Sequence, residues 1–307
     1  MICFYHAGCL DGLWSAQIVR QCYEEKANNF FIPIQYDDPL PDLAMIEGKV
    51  IFIVDFSFPL PIMQLILKHA RRVIWIDHHK TAIRMYEEHR GVLDREKHLE
   101  AILDDSHSGA WLTWTYFRPD EAVPIYIEHA EDQDLYTFKK KGTEAFHRYA
   151  LSKPLTLDGV ESIKKGIEEG HYREYLAIGE SLIQAHKNNM QWASQFVHPI
   201  TILGKTYTAV NGHRQTISDL GSEIAKQHFV GVVYFIEGKR VKISLRSDKE
   251  ARTVIDVEAI ANSFPGGGGH LTAASFYVTL KEFTAMVYGP EPKESLLDRI
   301  KGFFRKS

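Results

Sequence analysis

The segment at residues 73–76 is a short apolar run that ends abruptly in Asp77, His78 and His79. Its residues are β-branched or aromatic, which is typical of a buried strand in a parallel sheet. Open α/β sheets bind their ligands just beyond the carboxyl ends of their strands. The sequence therefore predicts one acid and two imidazoles at the edge where such a sheet holds its functional groups.

Two other apolar segments end in similar residues. Residues 50–54 run into Asp55. Residues 2–5 run into a polar set that comprises His6, Cys9, Asp11 and Gly12. One such strand end could be an ordinary capped turn, but three at equivalent places favour a shared site. Carboxylates mixed with imidazoles are typical ligands of Mn²⁺ or Mg²⁺, whereas thiolate-rich sets favour zinc or iron–sulfur clusters.

The elements around these motifs alternate between strands and helices. Apolar positions predict a helix over about residues 12–21, a strand over 30–36 and a helix over 61–70. Strand, helix and strand at this spacing predict a parallel sheet. After the Asp-His-His segment we expect mostly helix, with peripheral polar segments at residues 85–89 and 98–103.

The order of the motifs resembles that of the DHH phosphoesterases, which include RecJ exonucleases, nanoRNases, family II pyrophosphatases and exopolyphosphatases. The matching residues are His6-x-x-Cys9-x-Asp11-Gly12, Asp55, Asp77-His78-His79 and Asp132. The later run Gly266-Gly267-Gly268-Gly269-His270 resembles the signature of the accompanying DHHA1 domain. The resemblance covers almost the whole chain, and its two most specific motifs occur together in the family's order.

The resemblance implies a hydrolase with two metal ions, for which Mn²⁺ is favoured over Mg²⁺ or another divalent ion. One ion would be bound by His6, Cys9 and Asp55. The other would be bound by a set that shares the same bridging carboxylate, namely Asp11, Asp55, His78 and Asp132. Two ions would stabilise both the attacking and the leaving oxygen of a phosphoester.

Other roles follow from the same resemblance. His79 would face the phosphate as a donor or proton source, and Asp77 would orient a histidine. Asp134 would be an acid that supports the ligands or the structure beside Asp132, although a register shifted by two residues would make Asp134 the ligand instead. Cys9 stands where most members have Asp, so it could bind a softer ion, weaken one metal site or be a plain buried thiol.

Several residues are candidates for substrate binding. Ser108 begins a predicted helix, where it could either help receive an anion or cap a buried helix. In the second half of the chain, Arg246 offers a bidentate fork for phosphate. The glycines Gly267, Gly268 and Gly269 could offer backbone N–H groups to an anion, and His270 a further donor.

Length and composition constrain the class of protein. A chain of 307 residues predicts two domains, which we place at residues 1–190 and 198–307, joined by a long helix within 172–196. Its three cysteines indicate a reducing compartment, and the lack of a signal-like start or a long apolar run favours a cytoplasmic protein without a membrane span. The basic tail at residues 293–307 predicts a terminal amphipathic helix.

Three functions fit these observations. The first is a phosphodiesterase of short oligoribonucleotides or small nucleotides, since a net charge of -4 disfavours a long nucleic acid. The second is a hydrolase of pyrophosphate or short polyphosphate. The third is a nucleotide-binding module in which Cys9 has disabled turnover. A homodimer is compatible with each.

Overall fold

The computed structural model describes residues 1–23, 29–36, 38–39, 42–214 and 216–289. The chain forms two compact units, Met1–Gln184 and Ala185–Ser307. The predicted tail helix at residues 293–307 lies outside the described residues. Within the described part of the chain, no helix is both long and apolar enough to cross a bilayer.

The first unit contains a sheet of five parallel strands in the order β2-β1-β3-β4-β5. The strands are β1 (Ile2–His6), β2 (Phe30–Ile34), β3 (Val50–Val54), β4 (Arg72–Asp77) and β5 (Leu99–Leu103). The predicted α/β fold with a parallel sheet is therefore confirmed. Because the strands are parallel, His6, Asp55 and Asp77 all lie at or just beyond the same edge.

Ten helices belong wholly or partly to this unit among the residues described. They are α1 (Leu10–Cys22), α2 (Leu43–Ile46), α3 (Leu60–His69), α4 (Lys80–Glu88), α5 (Arg90–Leu93), α6 (Gly109–Phe117), α7 (Ile125–Asp134), α8 (Thr143–Leu151), α9 (Leu157–Glu168) and α10 (Tyr172–Ala193). The last of these runs across the division at Gln184.

Both faces of the sheet are buried. Phe52 of β3 packs in an apolar layer that includes Trp14 of α1, whereas the next residue back, Ile51, packs in a layer that includes Met63 of α3. Since successive strand residues point to opposite faces, two buried faces require near-continuous apolar strands. This is why the three sequence segments contain so few polar residues before their polar ends.

The structure has a strand, β5, in a region that was expected to be mostly helical. Residues 98–103 were expected to be a polar, peripheral segment of a mostly helical region, yet Leu99–Leu103 pairs in parallel with β4. Leu99, Ala101 and Leu103 pack on one face of the sheet and Ile102 on the other. Pairing with β4 and this alternating burial override the weak strand propensity of a Leu-Glu-Ala sequence.

The second unit contains a six-stranded mixed sheet in the order β10-β11-β9-β8-β7-β6. Its elements are β6 (His198–Ile202), β7 (Lys205–Asn211), α11 (Ile217–His228), β8 (Val230–Glu237), β9 (Arg240–Ser247), α12 (Val257–Asn262), β10 (Gly268–His270), β11 (Ala273–Thr279) and α13 (Leu280–Tyr288). Only β7 and β8 pair in parallel within the described sheet. The roles assigned to residues 1–190 and 198–307 stay predictions.

A buried histidine joins α7, α8 and α10 within the first unit. His129 Nδ1 lies 2.8 Å from Thr143 Oγ1, and its Nε2 lies 2.6 Å from the hydroxyl of Tyr172. Burial, with Lys140 nearby, lowers the pKa of His129 to about 4. The neutral imidazole is therefore the form that the folded protein stabilises.

We predict that this histidine makes folding sensitive to acid. Between about pH 6.5 and 4 the unfolded chain binds a proton at His129 that the folded chain does not, so stability falls as pH falls through this window. The loss amounts to at most about 3 kcal/mol. Urea unfolding from pH 7 to 4 should show a shallower decline for His129→Gln than for the wild type. The exposed His171→Gln variant is the control, and equal slopes for His129→Gln and wild type would contradict the prediction.

Candidate metal centre

Asp55 occupies the middle of the site and has an unusual backbone. It follows β3 directly, is 1% exposed and has a φ of 52°. Left-handed backbone is uncommon outside glycine and tends to occur where a functional geometry is held by its surroundings. Here the Asp55 N–H donates to the carbonyl of Ile76, 2.9 Å away, which fixes the turn against β4.

His6 and Cys9 lie on one side of Asp55. One ligand atom from each of the three residues lies within 4.8 Å of the others, and His6 Nδ1 is 3.6 Å from Asp55 Oδ2. Cys9 immediately precedes α1 and makes no capping hydrogen bond with its side chain. Burial and the nearby carboxylates of Asp55 and Asp11 raise the pKa of the Cys9 thiol.

His78 lies on the other side of Asp55, among three carboxylates. Its Nε2 is 3.2 Å from Asp55 Oδ1, 3.3 Å from Asp134 Oδ2 and 3.9 Å from Asp11 Oδ2. Burial opposes a charge on this imidazole, but the three acids outweigh burial and raise the pKa of His78 to about 9. The three carboxylates therefore concentrate negative charge here, which a bound cation would balance.

The N-terminus of α6 positions Asp11. The N–H groups of Gly109 and Ala110 donate to its two carboxylate oxygens at 2.7 and 3.1 Å. A Cβ on Gly109 would lie 2.7 Å from that of Asp55, so only glycine allows this approach. Ser108 is fully buried and accepts from the N–H of Trp111. Of the two roles expected for Ser108, the structure shows the cap, and Asp11 is the anion at this helix N-terminus. A role of Ser108 in substrate binding stays a prediction.

Asp77 organises the two histidines rather than facing solvent. Its Oδ1 accepts from the N–H groups of His78 and His79 at 2.7 and 3.1 Å, and it lies 2.7 Å from His79 Nδ1. Its Oδ2 accepts from the hydroxyl of Ser57. The hydrogen bond with Asp77 raises the pKa of His79. Asp77 is fully buried, whereas the side chain of His79 is about one third exposed.

The two acids at the end of α7 lie in different surroundings, and which of them binds a metal ion stays a prediction. Asp132 was expected to bind a metal, but its carboxylate accepts from Thr137 Oγ1, Thr143 Oγ1 and the N–H groups of Lys139 and Lys140 at 2.6–3.0 Å. Burial opposes its charge, yet these four donors hold the pKa of Asp132 at about 2. Asp134, two residues later on α7, reaches the centre instead, because residues two apart on a helix point in different directions.

The sequence contained a signal for Asp134. It lies seven residues after Ile127 and four after Ala130, both of which pack in the apolar layer beneath α7. Residues at these spacings share one helix face, so helical periodicity places Asp134 toward the sheet. The positioning roles of Ser57 and Gly109 have no comparable signal, since each depends on a contact distant in sequence.

The gathered residues, which we call the metal cluster, are His6, Cys9, Asp11, Asp55, His78 and Asp134. Two of its polar atoms, Asp55 Oδ2 and His78 Nε2, are buried and make no hydrogen bond within the described structure. Buried polar atoms are normally hydrogen-bonded, so two that make no hydrogen bond among these carboxylates fit a cation site. Burial raises the pKa of Asp11 well above its usual value, with Asp55 and Asp134 adding to the effect, which shows how much negative charge is crowded here.

The substrate-binding residues predicted in the second unit separate into two groups. Arg246, Gly268 and Gly269 line a cavity of about 200 Å³ together with Lys242 and Ser244. Arg246 is held there by a hydrogen bond from Nη2 to Ser218 Oγ, 3.0 Å away. Two of the predicted substrate-binding residues in this unit, Gly267 and His270, do not line this cavity.

The glycine run is more structural than expected. Gly268 and Gly269 belong to β10, which pairs with β11. A Cβ on Gly267 would lie 2.0 Å from the carbonyl oxygen of Ala261, so this glycine permits close packing against α12. Gly269 has a φ of 150°, and a Cβ there would lie 2.4 Å from the carbonyl oxygen of Ala273. The pairing of β10 and the packing on α12 account for much of the run without a ligand.

A solved structure resembles the whole chain. It is the pGpG-specific phosphodiesterase PggH from Vibrio cholerae, which superposes with a TM-score of 0.52 at 11% identity, over 99% of this chain and 97% of that one. This chain has the fold of that phosphodiesterase. The expected α/β fold with a parallel sheet and a second, smaller α/β unit is thereby confirmed.

Two further proteins resemble the chain, one in structure and one in sequence. RecJ from Thermus thermophilus in complex with Mn²⁺ aligns over all of this chain and 52% of its own, at 14% identity and a TM-score of 0.41, too low to support an inference. The uncharacterised protein R106 of Acanthamoeba polyphaga mimivirus is 24% identical over 89% of this chain. The chain spans 66% of the length of that relative. No protein-family profile matches the sequence.

We predict that the two acids at the end of α7 have separable roles. Asp134→Asn should weaken Mn²⁺ binding at least roughly tenfold, because it removes a carboxylate from the cluster, with little effect on folding. Asp132→Asn should cost about 3 kcal/mol of stability, because one amide oxygen cannot accept from four donors, while Mn²⁺ still binds. Calorimetric titration and urea unfolding of both variants test this. The reverse pattern would restore Asp132 as the ligand.

The thiol of Cys9 should set the choice of ion. Replacing it by the harder carboxylate in Cys9→Asp should shift the ratio of Mn²⁺ to Cd²⁺ affinity roughly tenfold toward Mn²⁺, since thiolates prefer softer ions. Competition titrations measure this ratio. The exposed Cys22→Asp variant is the matched control. An unchanged ratio in Cys9→Asp would remove Cys9 from the set of ligands.

Proposed function

We propose that this protein is a metal-dependent phosphoesterase that cleaves phosphodiester bonds in short oligoribonucleotides or small nucleotides. The observation that carries the proposal is the convergence of the metal cluster around Asp55, whose left-handed backbone and unpaired buried oxygen fit a bound cation. The shared fold with a nucleotide phosphodiesterase supports the substrate class. The motif order resembling DHH phosphoesterases supports the reaction.

The residues of the cluster fit a pair of divalent ions. One would be held by His6, Cys9 and Asp55. The other would be held by the set Asp11, Asp55, His78 and Asp134. When bound, such ions supply Lewis acidity to a phosphoryl oxygen and lower the pKa of water toward neutrality. Mn²⁺ suits the mixture of carboxylates and imidazoles, and the sulfur of Cys9 would make the first site the softer of the two.

His79 would carry the proton transfer. Its Nδ1 is engaged by buried Asp77, which fixes the ring and leaves Nε2 as the other proton-bearing position. Asp77 raises the pKa of His79. As an imidazolium, the ring would donate to a phosphoryl oxygen or to the leaving alkoxide. Asp77 keeps a positioning role, since it is fully buried and already accepts four hydrogen bonds.

The second unit offers a separate group of phosphate-binding residues. Arg246 and Lys242 supply positive charge to the cavity that Gly268 and Gly269 line. A guanidinium held by Ser218 presents its remaining N–H groups in a fixed direction, which suits a terminal phosphate. His270 stays a candidate donor outside this cavity.

A cytoplasmic location and a homodimer also stay predictions.

Cleavage assays distinguish the proposed reaction from its alternatives. With Mn²⁺, the protein should release mononucleotides from a diribonucleotide faster than phosphate from pyrophosphate. Release of phosphate from pyrophosphate alone would indicate a phosphoanhydride hydrolase. Binding of the diribonucleotide without any turnover would indicate the nucleotide-binding module.

The bridging role of Asp55 gives a sharper test. Asp55→Asn should reduce diribonucleotide cleavage by at least roughly a thousandfold, because an amide cannot serve as a charged bridging ligand. Its circular dichroism and thermal unfolding should show that it stays folded. The exposed Asp120→Asn is the control and should retain full activity. Substantial cleavage by Asp55→Asn would exclude Asp55 as the bridge.

A further inference from the structure

We propose that Tyr136 and Phe138, the aromatic pair, form a stacking surface for a nucleobase of the substrate beside the metal cluster. This inference rests on the proposed phosphodiesterase function and narrows its substrates to phosphodiesters that bear bases. Pyrophosphate and polyphosphate would gain nothing from such a surface. The pair therefore bears directly on which substrate class the site prefers.

The first observation is the exposure of two large rings. Tyr136 is 75% exposed and Phe138 is 41% exposed, and their ring centroids lie 4.6 Å apart in an edge-to-face arrangement. Single exposed aromatic residues are common, but two held against each other in one loop make a patch. A flat ring face available to solvent is the feature that stacks on a base.

The second observation is that the loop is held rigidly in a strained conformation. Tyr136 and Phe138 have φ values of 56° and 46°, which non-glycine residues rarely adopt. Asp132 fixes this conformation by accepting from Thr137 Oγ1 at 2.6 Å and from the N–H of Lys139 at 2.7 Å. Strain that the surroundings maintain is typical of functional segments, and a rigid surface loses little entropy on binding.

The third observation is the direction of alternate residues in the loop. Leu135, Thr137 and Lys139 line a cavity of about 470 Å³ that also contacts Trp111 of α6. The two aromatic residues between them do not line this cavity, and their side chains are exposed. The loop thus leaves both of its aromatic rings at the surface, whereas the hydrophobic effect alone would favour burying them.

The location and charge of the loop indicate the occupant. Tyr136 follows Asp134 of the metal cluster by two residues, so their Cα atoms are at most about 7 Å apart. Lys139 and Lys141 are exposed just beyond the pair, while Lys140 contacts Glu128 at 2.6 Å. Aromatic faces followed by cations fit a ligand that joins a base to a phosphate, which a nucleotide does and an apolar peptide does not.

The test compares two substrates of equal length and charge, a diribonucleotide and its abasic ribose-phosphate analogue. The double variant Tyr136→Ala with Phe138→Ala should raise KM for the diribonucleotide by roughly 5- to 100-fold. It should leave kcat/KM for the abasic analogue within about twofold of wild type, because the metal cluster is intact. Exchanging the rings in Tyr136→Phe with Phe138→Tyr should retain the wild-type KM.

Phe229→Ala is the matched control. Phe229 is also exposed and has a φ of 64°, but it lies in the second unit, where it follows α11. This variant should behave as wild type with both substrates. Thermal unfolding of each variant checks that the loop substitutions do not unfold the protein.

Each outcome separates the inference from the proposed function. If the wild type cleaves the diribonucleotide and the double variant does so with unchanged KM, stacking is refuted while the phosphodiesterase stands. Equal losses on both substrates also refute it, because the loop would then act on the metal cluster. If the wild type cleaves neither substrate, the proposed function fails. Calorimetry then still tests the aromatic pair. A weaker affinity of the double variant for the diribonucleotide supports base binding, and an unchanged affinity refutes it.

Discussion

The crowding of carboxylates around the imidazole of His78 is the constraint on which the site depends. Asp11, Asp55 and Asp134 all approach His78 within 3.9 Å, in a place where burial penalises charge. Three acids so close repel one another unless a cation lies between them. The parallel sheet, the helix N-terminus under Asp11 and the strained turn at Asp55 all hold this unfavourable arrangement in position.

The two acids at the end of α7 make different contacts. Asp134 faces the metal cluster, whereas Asp132 turns the following loop through four hydrogen bonds. Thr143, one of its donors, also contacts buried His129, which extends this network to Tyr172. The metal cluster and the aromatic pair are thus fixed by adjacent residues of a single helix end, so their spacing is set by covalent geometry and by one hydrogen-bonded loop.

Sequence reasoning succeeded where local pattern and topology agree. Apolar runs with polar ends predicted the parallel sheet and placed His6, Asp55 and His78 at one edge, because parallel strands bring their carboxyl ends together. It failed where long-range contacts decide. Pairing with β4 makes residues 99–103 a strand. Hydrogen bonds from the next loop engage the carboxylate of Asp132. Close packing against Ala261 requires glycine at position 267. The choice between Asp132 and Asp134 required the helical face, which motif spacing alone does not give.

We propose that the metal cluster binds divalent cations through Asp55. Anomalous diffraction from crystals soaked in Mn²⁺ tests this most directly, since Mn²⁺ gives a signal that the protein's light atoms do not. We expect strong peaks within about 2.5 Å of the Asp55 carboxylate, with Asp134 rather than Asp132 completing the coordination. Well-ordered, Mn²⁺-soaked crystals with no peak at Asp55, or with a peak coordinated by Asp132, would contradict it.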